Sequence, residues 1–242
     1  MDQHAMLFEP VADRSARVGI IDPHCNIGTV VKHAFNQASD ICEEYYLCAP
    51  ELDMTIHNNI EPGKHIETAY TPHHLHYIFF ELFKNSMRAT VETTKQPKEL
   101  PDINVLIVSG EHDIAVKISD QGGGIPRHIT NRLFQFLHST ATRPSIQPKK
   151  APLAGYGYGL PLSRLYARYF HGDLVITSYE GYGTDTVLFL KKNINEAKEL
   201  LPIFNQTASN QYKAAVPTAD WTDAFSAMNS QYHPAYLTKE KE

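Results

Sequence analysis

The segment Thr71–Glu92, TPHHLHYIFFELFKNSMRATVE, leaves the chain little choice of local structure. Thr71-Pro72 reads as a cap followed by proline at the first helical position. Apolar residues then recur at three- and four-residue steps, which predicts a helix to about Glu92. With Glu81 at zero and about 100° per residue, Leu75, Ile78, Phe79, Leu82, Phe83, Ser86 and Ala89 fall between roughly 60° and 200°. His74, Tyr77, Lys84, Asn85 and Arg88 fall within about 60° of Glu81. One side therefore demands a core, while the opposite side carries an acid, an amide and two bases. A solvated face of i,i+4 pairs, each worth ~0.2–0.5 kcal/mol, explains such a stripe as well as a binding site does.

The rest of the chain supplies the core. Ile27, Val30, Val31, Ala34, Phe35, Ala38, Ile41, Cys42 and Tyr45 predict an amphipathic helix from Asn26, closed by Pro50. Short strands are expected at Asp53–Ile56 and Ile66–Tyr70. INVLIVS (103–109) and DIAVKISD (113–120) predict a hairpin across Gly110-Glu111-His112. Pro126–Leu137 reads as a short helix, and Tyr158–His171 as another, stopped by Gly172. DLVITSYEGYGTDTVLFLKK (173–192) is a second strand–turn–strand. Residues 139–159, rich in proline, lysine, serine and glycine, have the composition of a long functional loop. The order places the main strands in the second half, pairing locally. It implies an α+β two-layer sandwich, with a mixed, mostly antiparallel sheet covered by helices on one face, rather than alternating βαβ units.

Composition narrows the function classes. The chain has 242 residues and a formal charge of −5, without the basic footprint of a nucleic-acid binder. It has no run of about 18 apolar residues that would span a membrane. Cys25, Cys42 and Cys48 are odd in number and lack CxxC spacing, which favours reduced thiols. His73, His74 and His76 cannot converge on a metal from one helical turn.

Three glycine boxes carry the remaining signal. Asp120-Gln121-Gly122-Gly123-Gly124 closes a strand and permits positive φ and close approach. Gly155-Tyr156-Gly157-Tyr158-Gly159-Leu160 leads into a helix whose first N–H groups are unpaired, a ready anion site. Gly181-Tyr182-Gly183-Thr184 joins two strands, and a plain hairpin explains it alone. A dinucleotide-binding reading fails because no strand and no βαβ unit precede GYGYGL. No GxxxxGKS/T, HRD or DFG is present.

Taken in order, the two-faced helix, DxGxG, a long loop ending in GxGxG and GxGT resemble the GHKL ATPase superfamily with its Bergerat-type fold. ELFKNSMRAT, SDQGGGIP, HSTA, GYGYGLPLSRLYARYFHGDL and EGYGTD narrow the resemblance to the mitochondrial kinases of the 2-oxoacid dehydrogenases. So do IDPHCNIGTVVKHAF and YYLCAPEL. Within that group the pyruvate dehydrogenase kinases are the most similar. Likeness covers roughly residues 1–205, plus an Asp220-Trp221 in the tail. It implies a lead-in over 1–25, an ATP-binding kinase domain over 26–193 with a lid at about 139–159, and a tail over 194–242. The family's N-terminal helical bundle, which docks on lipoyl domains of the acyltransferase core, would end near where this sequence begins.

The same resemblance implies residue roles. Glu81 would be the general base on a substrate serine, and Asn85 would offer its amide oxygen to Mg²⁺. Lys84 and Arg88 would neighbour the phosphates of ATP. Asp120 would accept from the adenine amino group, supported by Thr184 directly or through water, with Gly122 and Gly124 letting the backbone pass the base. Ser139, Thr140, Gly155, Tyr156, Gly157, Tyr158, Gly159 and Leu160 would form the lid. Tyr77 stands where those kinases carry a histidine four residues before the glutamate; either it orients Glu81 through its hydroxyl or that tuning is absent. His76 lies about 140° away around the helix. The implied activity is phosphorylation, and so inactivation, of the pyruvate dehydrogenase α subunit by a homodimer in the mitochondrial matrix. The alternatives are a branched-chain 2-oxoacid dehydrogenase kinase and a nucleotide-binding regulatory fragment without transferase activity. A two-component histidine kinase is disfavoured, because no upstream dimerisation helix with a phosphoacceptor histidine is seen.

Overall fold

A computed structural model of the chain describes residues 20–94, 100–139 and 156–192. Its first elements are β1 (Asp22–Asn26) and the 20-residue helix α1 (Ile27–Tyr46). The Asn26 side chain caps α1 by accepting from the Thr29 N–H at 3.1 Å. Leu47 ends it in the left-handed region, φ 61°, its N–H bonded to the Glu43 carbonyl. β2 (Leu52–Asn58) and β3 (Glu67–Tyr70) follow, then the 22-residue α2 (Pro72–Thr93). β4 (Ile103–Ser109) and β5 (Asp113–Asp120) form the expected hairpin. One turn, α3 (Arg127–Thr130), and α4 (Gly159–Tyr169) precede the hairpin of β6 (Asp173–Tyr179) and β7 (Gly183–Lys191).

Among the described residues the strands form a five-stranded sheet in the order β2-β4-β5-β7-β6, and β1 pairs separately with β3. β2 runs parallel to β4 and every other pair is antiparallel. On β5 the period of two places Ile114, Val116, Ile118 and Asp120 on the covered face. Three of these are core residues; the fourth brings a carboxylate under the helices at the strand's end. α2 lies between α1 and α4 and contributes Leu75, Ile78, Phe79, Leu82, Phe83 and Met87 to the core. Phe35 of α1 meets Phe83 edge-on, with centroids 5.2 Å apart. Asp173, at the start of β6, accepts from both Arg164 and Arg168, fixing α4 to the sheet. Burial pushes this carboxyl up, but the two guanidinium groups outweigh it and hold it below the usual range.

The layer architecture matches the expectation, whereas three details differ. The strands do not all sit in the second half or pair locally: β2 lines up along β4, and β5 pairs with β7 across the whole α3–α4 region. Pairing partners across a sheet leave no trace in local periodicity. Pro126–Leu137 is not one helix but a single turn followed by turn residues. The Leu137 N–H bonds to the Gly157 carbonyl, and Leu137 takes φ 64°, so a tertiary contact overrides the helical pattern. Thr71 occupies the N-cap of α2, yet its side chain makes no capping bond, which leaves Pro72 as the local start signal.

Gly122 shows how tightly the strand end meets α2. A Cβ there would lie 2.5 Å from the Ala89 Cβ and 2.8 Å from the Thr90 backbone nitrogen. Gly122→Ala is expected to cost about 1–3 kcal/mol, because helix and turn must separate to admit it. Urea unfolding checks this: a lowered midpoint with an unchanged slope is the expected result.

Candidate functional site

Because the apolar side of α2 is spent on the core, Glu81, Asn85 and Arg88 face a cavity of about 600 Å³. The opposite walls come from the β5–α3 turn, the start of α4 and the strand positions Ile176 and Thr184. Of the residues singled out in the sequence, Glu81, Lys84, Asn85 and Arg88 line it from α2. Asp120, Gly122, Gly124 and Thr184 line it from the sheet side. Ser139 and Tyr156, Gly157, Tyr158, Gly159 and Leu160 close it from the loop side. Thr140 and Gly155 lie outside the described residues.

The deep end is built around Asp120, which is 7 % exposed. The register of β5 with β7 sets it directly opposite Thr184. Its Oδ1 accepts from the Gly122 N–H at 3.0 Å and the Thr184 N–H at 3.3 Å. Thr184 supports the carboxylate through its main chain, while its hydroxyl pairs with Ser178 at 3.0 Å. Burial raises the Asp120 pKa, opposed by the hydrogen bonds from Gly122, Ser86 and Thr184. Ser86 was not expected here; it falls on the apolar arc of α2, and its proximity to Asn85 was the only available signal. Thr186, two residues beyond Thr184 on β7, also lines the cavity and was missed. Gly122 and Gly124 also pack closely on neighbouring elements. The space left by the missing Cβ of Gly122 is filled by α2, and that of Gly124, at φ 71°, by the Tyr179 carbonyl.

The other end holds Glu81. Lys84 Nζ lies 2.7 Å from Glu81 Oε1, with the two side chains only 11 % and 18 % exposed. The same ammonium sits 4.7 Å from the centroid of the Phe80 ring. Glu81 Oε2 rests against Gly159, the first residue of α4: a Cβ there would lie 2.5 Å from it. The carboxylate is thus held between a cation and a helix start with unpaired N–H groups. Tyr77 lines the same end, edge-on to Tyr166 with centroids 5.3 Å apart. Burial, then the charge of Glu81 and then Tyr166, push its hydroxyl up to about 12. The ion-pair partner of Glu81 is Lys84, not Tyr77. His74 and His76 are spent on packing: His74 stacks on Tyr166 at 4.4 Å, and His76 on Phe80 at 5.9 Å.

A carboxylate at a strand end, an amide beside two cations, and a helix N-terminus across the gap suit a nucleotide with its phosphates toward α2 and α4. Residues 70–194 match the family model described as "Histidine kinase-, DNA gyrase B-, and HSP90-like ATPase". The chain belongs to this ATPase family. It is 51% identical over 229 residues to the mitochondrial pyruvate dehydrogenase (acetyl-transferring) kinase of Drosophila melanogaster, covering 92% of this chain and 55% of the relative. It is 49% identical over 222 residues to the kinase of the same name from Ascaris suum, covering 91% and 56%. It is 49% identical over 229 residues to isozyme 3 from Homo sapiens, covering 92% and 56%. The chain therefore spans about half the length of these curated relatives.

Asp120 separates stability from recognition. Its raised pKa means that the fold favours the protonated carboxyl. This contribution is fully present below the ordinary carboxylate value and is lost as the pH rises through the folded value. At neutral pH the charge is a cost, which Asp120→Asn removes while keeping an acceptor oxygen. The variant is expected to melt at or above the wild-type temperature at pH 7, with the difference shrinking toward pH 4. A lower melting temperature at pH 7 would show that the charge itself is needed by the fold.

Proposed function

We propose that the chain is the ATP-binding, phosphoryl-transferring part of a mitochondrial protein serine kinase that acts on the pyruvate dehydrogenase α subunit. The observation that carries this is the convergence of Glu81 and Asn85 of α2, Asp120 at the end of β5 and Gly159 at the start of α4 on one cavity, from three separate parts of the sequence. The names of the relatives, mitochondrial kinases of pyruvate dehydrogenase, support the substrate and a mitochondrial location, from which the matrix and the α subunit are inferred. Homodimer formation and docking on lipoyl domains belong to the same proposal for the whole protein, as do the domain boundaries at 26 and 193.

In this reading the adenine amino group donates to Asp120, and the phosphates extend toward α2 and the start of α4. Lys84 and Arg88 offset their charge, and Ser139, Gly157, Tyr158 and the first residues of α4 flank them. Phosphoryl transfer asks a protein mainly for positioning and neutralisation. Glu81 accepts the proton of the substrate serine hydroxyl as its oxygen bonds to the γ-phosphorus, and ADP departs. Such a base typically contributes ~10²–10⁴-fold. The donor set fits Mg²⁺: Asn85 offers one neutral oxygen, and no cluster of three acidic, histidine or cysteine ligands occurs among the described residues. An ion held mostly by phosphate oxygens and water needs no more than that. When bound, it would neutralise the transferring phosphates.

Two experiments test the reading. Incubation with ATP, magnesium and either the pyruvate or the branched-chain dehydrogenase is expected to place phosphoserine on the pyruvate enzyme, and Glu81→Gln to abolish it while ATP still binds. Labelling of the branched-chain enzyme alone would reassign the substrate, and unchanged rates in Glu81→Gln would remove the base. Gly159→Ala offers a subtler measurement. Its Cβ displaces only the flexible end of Glu81, and alanine suits a helix, so the melting temperature is expected to hold. Transfer should nevertheless fall ten- to a hundredfold as the carboxylate moves. Full activity in this variant would contradict the placement of the base.

A further inference from the structure

Resting on the nucleotide reading above, we propose that Lys84 is an exchangeable partner: the ammonium that pairs with Glu81 is the one that takes the phosphate oxygens, so nucleotide binding frees the base. The geometry makes the two contacts compete. Lys84 Nζ has the Phe80 ring at 4.7 Å and Glu81 Oε1 at 2.7 Å, so its remaining approach is from the cavity. Both charged side chains are largely shielded, at 11 % and 18 % exposure, so water is a poor substitute for either partner. The ammonium at this distance occupies an acceptor position on Oε1 that a serine hydroxyl would need. The second carboxylate oxygen lies beside Gly159, which limits the room on that side of Glu81. The lysine, on its four-carbon stem, is the more adjustable of the two partners.

Triphosphate supplies the driving force. Among the described residues the lysine and arginine side chains that line the cavity are Lys84 and Arg88. Several phosphate charges entering beside Glu81 would be repelled by a bare carboxylate and attracted by the ammonium. Moving Lys84 onto the phosphates pairs the ammonium with the larger charge and leaves Oε1 of Glu81 open to a hydrogen bond from the substrate hydroxyl. The base is thereby released only when its phosphoryl donor is present, which suppresses pairing of a serine hydroxyl with an activated carboxylate in the absence of ATP. Lys84 in this role is a positioning residue, because it acts on the reaction through Glu81.

A double-mutant cycle on Mg·ATP affinity, read by titration calorimetry, isolates the exchange. Glu81→Gln removes the competitor, so ATP is expected to bind about three- to tenfold more tightly than to the wild type. In a Lys84→Met background the same Glu81→Gln change is expected to alter affinity by less than about twofold, because no shared ammonium remains. Lys84→Arg should restore sensitivity to Glu81→Gln. An equal or larger gain in the Met background overturns the proposal, since Glu81 would then act on the phosphates through space. Weaker ATP binding by Glu81→Gln also overturns it, since Lys84 would then bridge both groups at once. A wild-type chain that binds no ATP takes down the nucleotide reading itself, and is distinguishable from those two outcomes. Where Lys84→Met does not fold, Lys84→Gln serves the same arm.

Discussion

Leu75, Ile78, Phe79, Leu82 and Phe83 hold α2 against the sheet, and their burial fixes the rotation of every polar residue on the helix. Each such side chain is worth about 1.5–3 kcal/mol on burial, so together they contribute on the order of 10 kcal/mol to keeping this face inward. Turning the helix by a single residue would swing Glu81 through about 100°, expose two phenylalanines and push a carboxylate toward the core. No arrangement of the polar face can compete with that loss. The positions of Glu81, Asn85 and Arg88 in the cavity follow from apolar packing on the far side of the same helix.

The same helix also sets the other end of the site. Ser86 donates to Asp120, and Gly122 is pressed against Ala89 and Thr90 closely enough to exclude a methyl group. The carboxylate at the deep end and the glutamate at the shallow end are therefore referenced to one rigid rod, 22 residues long. The antiparallel pairing of β5 with β7 then supplies the Thr184 N–H at the level of Asp120. A buried acid at a strand terminus is costly unless it gathers donors, and here they come from a helix, a turn and a neighbouring strand.

Much of this was legible because α2 advertises itself twice, by its apolar stripe and by the polar residues opposite. The glycine boxes fixed the order of the cavity walls, and the 70–194 family match follows them closely. What the chain hid has physical reasons. Ser86 points toward Asp120 from an arc otherwise given to the core, and a small hydroxyl there looks like tolerated packing. Lys84 looked like a phosphate ligand on an open stripe, whereas its stem is buried and its charge already has a partner. β2 beside β4 is a parallel contact between segments some fifty residues apart, and a strand's sequence does not name its neighbour. The helical pattern through Phe136 was real but lost to the bond between Leu137 and Gly157.

α4 gives the site its last constraint. Arg164 and Arg168 tie it to Asp173 at the foot of β6, and Arg164 also lies 4.4 Å over the Phe134 ring in the segment before the loop. His74 and Tyr77 of α2 pack on Tyr166 from the other side. The residues that lead into the loop and Gly159, which follows it, are thus held by one helix that is itself clamped to α2 and the sheet. The described residues on either side of 140–155 are thereby anchored to a common frame. Gly159 touches Glu81 at one of those anchors. A displacement at Gly159 therefore reaches Glu81 directly, whereas Asp120 takes its donors from Gly122, Ser86 and Thr184, none of which lies on α4.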